Sequence, residues 1–262
     1  LLKSTMQGTV IDAALWTFVA MFPVVIAAWV GIAIKPDKKI IGSFLGISSG
    51  MLIALLSYEL MEEAFRESGP VFAVIGFFLG LGVYQGLNYI VYTYGVKRRQ
   101  SIICGGIGHL SVEQQSERNT GIALVMGAVL DGIPESMTIG ISFLKNPLVS
   151  APIILAVAIA NIPEGMASGV GLYRSGFSRK KILLIWVVVV AVCVLSSIFA
   201  YLLLQDAPDK FKGAIVGFAG GGVLAMTLQT VVPEAYKEIK DWIGILGGVG
   251  FIIAFIFAHY FH

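Results

Sequence analysis

The chain has 262 residues, 57% of them hydrophobic and only 13% charged, with a formal net charge of +2 and a mean hydropathy of +0.86. A soluble domain carries roughly a quarter charged residues, so a water-facing surface cannot be assembled from this composition, and the small net charge gives no footing for a nucleic-acid partner. The apolar runs are unbroken and about twenty residues long, not ten-residue stretches of alternating polarity, which predicts an all-α, polytopic membrane helix bundle and argues against a β-barrel.

Eight apolar segments follow in chain order, at Val10–Ile34, Ile40–Met61, Val71–Tyr94, Thr120–Leu144, Val149–Tyr173, Ile182–Leu204, Gly213–Ala235 and Trp242–Phe261. Each is long enough to cross a hydrocarbon core of about 30 Å as a helix. The first has no small-residue cleavage site after it and reads as a span, not a signal peptide. The eight make one domain over residues 1–262, with a long polar connection, Gly95 to Asn119, expected as a flexible loop. Cys104 falls in that loop and Cys193 in an apolar run, so no disulfide is expected.

Orientation follows from the basic residues. Connections 1–2, 3–4, 5–6 and 7–8 hold 13 of the 18 Lys and Arg, whereas connections 2–3, 4–5 and 6–7 hold four: Arg66, Lys145, Lys210 and Lys212. The basic connections belong in the cytoplasm, which puts both termini outside and predicts an integral, multi-pass protein of the plasma membrane, the inner one if the source is bacterial. Glycines recur four apart at Gly42, Gly46 and Gly50, at Gly76 and Gly80, and at Gly165 and Gly169. Such stripes let helix backbones approach closely.

The fourth and fifth spans carry a repeat. Asp131-Gly132-Ile133-Pro134-Glu135-Ser136-Met137, followed by Gly140, is echoed by Ala160-Asn161-Ile162-Pro163-Glu164-Gly165-Met166, followed by Gly169, so that I-P-E-x-M-x-x-G recurs 29 residues on. Ionised carboxylates inside a bilayer are tolerated only when paired, hydrated or neutralised. Asp131 and Glu135 are i and i+4, sharing one helix face, and Asn161 and Glu164 are i and i+3 on the neighbouring span. Each proline removes an N–H and displaces the carbonyl four residues back, at Leu130 and Ile159. Carboxylates, an amide and loosened carbonyls suit a hard or borderline divalent cation. A single Pro-Glu also has a plainer reading, a kink beside a protonated, hydrogen-bonded acid; two copies plus Asp131 favour a site.

At these residues the chain resembles the ZIP (Zrt/Irt-like) family of divalent metal transporters. Further likeness lies in Gly50-Met51-Leu52 with Glu59-Leu60-Met61-Glu62-Glu63-Ala64, and in Gly220-Gly221-Gly222 with Val231-Val232-Pro233-Glu234-Ala235. The resemblance implies eight spans, outside termini, a cytoplasmic loop after span 3, and metal bound by spans 4 and 5. It implies Glu135 and Glu164 as bridging ligands, Asp131 in place of a histidine, Asn161 as a fourth donor, Met51 as a soft ligand from span 2, and Cys193 as a weaker one. The chain departs from the family's pattern at Asp131-Gly132, where His-Asn is usual, at Ala160, at Gln229-Thr230, and in span 6, which has no acid. These departures suggest one metal position where relatives can have two.

The expected activity is transport of a divalent cation of the zinc, iron, manganese or cadmium class, with the ion as substrate, no organic cofactor and no enzymatic reaction. Alternating access by sliding spans 1, 4, 5 and 6 against the rest is what the resemblance implies, the glycine stripes permitting the movement. Expected partners are the metal ion, the lipid bilayer and a second copy of the chain as a homodimer, with no nucleic acid. The alternatives are movement of protons or another cation through the same acids, or an intramembrane hydrolase with paired carboxylates as acid and base. Glu59, Glu62, Glu63 and Glu234 read as interfacial solvated charges, and His109 as a solvated histidine; His259 and His262 carry no assignment.

Overall fold

The computed structural model describes residues 8–103, 112–145 and 150–261, and every regular element among them is helical. In chain order these are α1 (Val10–Met21), α2 (Pro23–Ile34), α3 (Lys38–Leu55), a π-helical turn (Leu56–Met61), α4 (Glu62–Ile103), α5 (Val112–Lys145), α6 (Ser150–Arg174), α7 (Arg179–Leu203), α8 (Asp209–Met226), a second π-helical turn (Thr227–Val231), α9 (Val232–Ile239) and α10 (Trp242–Phe261). Cys104, His109 and His262 lie outside the described residues.

Five helical stretches among the described residues are long and apolar enough to cross a membrane: Val10–Ile34, Lys38–Ile90, Arg179–Leu203, Asp209–Ile239 and Trp242–His259. The second, at 53 residues, would measure about 80 Å as one rod, well over twice a hydrocarbon core. It folds back instead. Gly69 has φ 72 and ψ 174, a conformation essentially restricted to glycine, and Pro70 follows it. The two limbs then meet α8 at one level: Gly220 faces Leu56 and Met61, while Gly221 faces Phe77 and Leu81.

Helices pair through bare backbone. A Cβ built on Gly165 would stand 2.3 Å from the Val24 carbonyl oxygen, and one on Gly169 2.9 Å from the Ala28 backbone, so α6 lies directly on α2. Gly76 and Gly80 of α4 meet Ala214 and Phe218 of α8 in the same way, and Gly50 of α3 meets Gly247 of α10. In α5, Gly132 and Gly140 face Cys193 and Ser197 of α7. In each pair the residue numbers rise together, so the partners run parallel.

Two helix groups emerge. α1, α2, α5, α6 and α7 pack chiefly on one another around a core that includes Ala20, Met21, Phe143, Trp186 and Cys193. α3, α4, α8, α9 and α10 do the same, with Leu52, Leu60, Tyr84, Val223 and Met226 among the residues at their centre. The seam between the groups runs where α5 meets α8 and α3 meets α6. Here the glycine expectation needs correction: the stripes at Gly42, Gly46 and Gly50, at Gly76 and Gly80, and at Gly165 and Gly169 all lie inside a group and hold it together. The seam has a side chain across it instead, Met226 against Gly127, and a Ser48 hydroxyl donating to the Ala160 carbonyl at 3.5 Å.

The connections sort to two ends. At one, Lys35 and Arg179 stack on Tyr173, Arg118 lies over Phe177, and Arg174 donates to the Pro36 carbonyl at 3.2 Å. At the other, Gly8 donates to the Phe143 carbonyl, the Tyr201 hydroxyl donates back to Gly8, and Lys210 covers Phe72. A second correction concerns the expected loop at 95–119, since α4 continues to Ile103 and α5 has begun by Val112. Lys, Arg, Gln and Glu are good helix formers, so the apolar run ends where lipid would end while the hydrogen-bonded helix does not.

Candidate metal site

The two copies of the repeated motif lie on α5 and α6, which pack against each other within one group. Both glutamates are buried, Glu135 at 7% exposure and Glu164 at 2%, and Asn161, one turn before Glu164 on α6, is buried at 9%. The helices run on through both prolines. Close packing surrounds both acids in sequence: Gly165, next to Glu164, seats α6 on α2, and Gly132 and Gly140, on either side of Glu135, seat α5 on α7.

Asn161 is oriented by the end of α1. The Asn161 amide donates to the Ala20 carbonyl at 3.2 Å and to Met21 Sδ at 3.5 Å. With the amide nitrogen held toward α1, the Oδ1 oxygen is the part of Asn161 suited to a cation. On the opposite side, Cys193 of α7 brings Sγ to 3.0 Å from where a Cβ on Gly132 would stand. Span 6 thus presents a fully buried thiol to Gly132. The side chain of Asp131 lies outside the described residues. Among those described, no three His, Cys, Asp or Glu side chains gather closely enough to hold a metal ion.

Met51 is buried with Ala54 and Ala254, with Ile159 and Phe251 packed around them. Glu59 departs from its expected role as a solvated charge: it sits inside the first π-helical turn at 6% exposure, whereas Glu62 is exposed as expected. The sequence held a signal for this, because Glu59 directly precedes Leu60 and follows Leu56 by three, within the buried stretch of α3's continuation. π-helical turns in α-helices are frequent at functional positions.

Gln229 and Thr230, in the second π-helical turn, are engaged by α4. The Tyr84 hydroxyl and Thr230 Oγ1 share a 2.8 Å hydrogen bond, Asn88 donates to Gln229 at 3.1 Å, and Gln229 also bonds Gln85. Glu234 lies half-buried, paired with Lys237 at 3.8 Å, beside a small cavity that Lys38, Arg174 and Glu238 help to line. That cavity straddles the seam at the Arg174 end of the bundle, where Ala167 and Val170 of α6 also line it.

Comparison with known proteins converges on one family. The family described as "ZIP Zinc transporter" matches residues 103–256, more than half of the chain and the part holding both motif copies. A protein of Arabidopsis thaliana named "Putative zinc transporter" is 27% identical over 229 residues, 84% of this chain and 35% of the relative. The "Zinc transporter zipt-7.2" of Caenorhabditis elegans is 24% identical over 147 residues, 52% of this chain and 32% of the relative. The chain therefore spans about a third of the length of the curated relatives it matches.

Proposed function

The chain belongs to the ZIP zinc transporter family, and from that premise we propose that it carries a divalent metal ion across a membrane through the carboxylates of α5 and α6. The observation that carries this reading is the burial of Glu135 and Glu164, the repeated acids, on two helices packed together inside an apolar bundle. Two acids in such a place are tolerable when a cation shares them. The ion exchanges part of its hydration shell for oxygen from Glu135, Glu164 and Asn161 Oδ1, with Asp131 on the adjoining turn. Four parallel helix pairs and a hairpin at Gly69 support eight crossings, and the excess of basic residues at one set of connections supports cytoplasmic placement there, with both termini outside.

Passage requires the site to open to one side at a time. The division into two helix groups supplies a physical route: the group holding the motif moves as a body against the other along the α5–α8 and α3–α6 seam. Each group is bound internally by backbone-to-backbone contact at glycines, which favours rigid-body motion. Metal binding requires ionised carboxylates, so protonation of Glu135 or Glu164 weakens binding and assists release. Zinc uptake into proteoliposomes, with and without Glu135→Gln plus Glu164→Gln, tests the proposal. The double variant is expected to lose at least about 90% of uptake, as removal of ligands from a metal site commonly costs tenfold or more in affinity. Retained uptake sinks the carboxylate site.

A further inference from the structure

Side chains outside the acid pair converge on the Asp131–Gly132 step. Met21, the last residue of α1, is 4% exposed, and its Cε lies 3.6 Å from the point where a Cβ on Gly132 would stand. Cys193 Sγ lies 3.0 Å from that same point. Met21 Sδ also accepts the Asn161 amide at 3.5 Å. Two sulfur-bearing side chains, from α1 and α7, thus flank one backbone position of the motif, and Met21 also touches Asn161, one of its proposed oxygen donors. The missing side chain at Gly132 is what admits both.

A second observation is independent of the sulfurs. α1 and α5 run antiparallel, since Gly8 meets Phe143 at one level and Met21 meets Gly132 at another. Thr17 and Ser136, one turn from Met21 and from Gly132, therefore fall at the same level where α1 meets α5. Both are 0% exposed, and neither hydroxyl has a hydrogen-bond partner among the described residues. Helical Ser and Thr ordinarily donate to a carbonyl one turn back, and a buried hydroxyl left unsatisfied costs about 1–3 kcal/mol. Alanine or valine would fill an apolar seam without that penalty. Two orphan hydroxyls beside two sulfurs mark a place that receives something polar.

We infer that Met21 and Cys193 form a sulfur face of the ion's site that selects thiophilic divalent cations, cadmium and zinc, over hard ones such as manganese, while Thr17 and Ser136 take up water carried in by the ion. The inference rests on the reading of Glu135 and Glu164 as the carboxylate face and adds the property that sets selectivity. Thioether and thiolate sulfur favour soft and borderline ions, whereas carboxylate oxygen discriminates little against manganese. Met21 donates a lone pair as it stands. Cys193 binds as thiolate, so its thiol proton leaves to the aqueous phase as the metal–sulfur bond forms.

The test is titration of the purified full chain with cadmium and, separately, manganese, for the native protein, Met21→Leu, Cys193→Ser and the double variant. Met21→Leu conserves volume and so preserves folding. The double variant is expected to bind cadmium about tenfold or more weakly, the scale on which residues of metal sites act, with manganese affinity within about twofold of native because hard ions gain little from sulfur. Cadmium should also produce a thiolate charge-transfer absorption that Cys193→Ser abolishes. An unchanged cadmium-to-manganese ratio in the double variant, or no such absorption in the native protein, overturns the sulfur face and leaves the carboxylates standing. Cadmium binding that survives Glu135→Gln plus Glu164→Gln overturns the carboxylate reading instead.

Discussion

Gly165 stands beside a buried carboxylate and against a neighbouring backbone at once. Its missing Cβ would meet the Val24 carbonyl oxygen at 2.3 Å, and that atom belongs to α2, which cannot step aside as a flexible side chain would. Gly165→Val is expected to destabilise the bundle by about 1–3 kcal/mol through overpacking, read as a lower Tm in detergent, and to expose Glu164 as α6 lifts from α2. A Tm equal to the native protein's contradicts the described contact. The stripe Gly165–Gly169 was visible in the sequence, but its partner was not. Asn161 shows the same limit: its spacing from Glu164 marked it as a donor, while the amide's attachment to Ala20 and Met21 joins positions 141 and 140 residues apart in the chain.

Helix ends and interruptions carry the next level of information. Gly69, with φ 72, turns a continuous apolar helix into a hairpin. An alanine there adopts a strained backbone at about 1–3 kcal/mol, so Gly69→Ala is expected to lower thermal stability, with metal affinity at the distant motif unchanged. A variant as stable as the native protein counts against the hairpin geometry. Apolar length alone located both limbs, at Ile40–Met61 and Val71–Tyr94, close to where the chain reverses. Hydropathy had no means of finding the π-helical turns at Leu56–Met61 and Thr227–Val231. One additional residue per turn rotates the downstream helix faces without altering the apolar count, which is why Glu59 is buried while Glu62 faces outward.

The molecule as a whole divides along the seam between its two helix groups, and that seam can be fastened. A Cβ on Gly127 would lie 3.6 Å from the Met226 Cβ, within the separation that a disulfide spans. Gly127→Cys with Met226→Cys is expected to lose transport on oxidation and regain it on reduction, while zinc binding by the oxidised protein persists. Full uptake by the cross-linked protein excludes movement along this seam. Each group is internally tied by close glycine contacts, whereas the seam carries a methionine side chain and a long 3.5 Å hydrogen bond from Ser48. That seam is the joint expected to slip.

The sequence by itself determined that the chain is an all-helical membrane bundle, where its apolar runs lie, and which acids are repeated, because composition, run length and i, i+4 spacing act locally along a helix. Only the tertiary structure decided that the glycine stripes bind helices within groups and that Met21 and Cys193 meet at Gly132. Those facts depend on which faces of distant helices touch, and a period of 3.6 residues fixes the faces of each helix without choosing the neighbour that covers them.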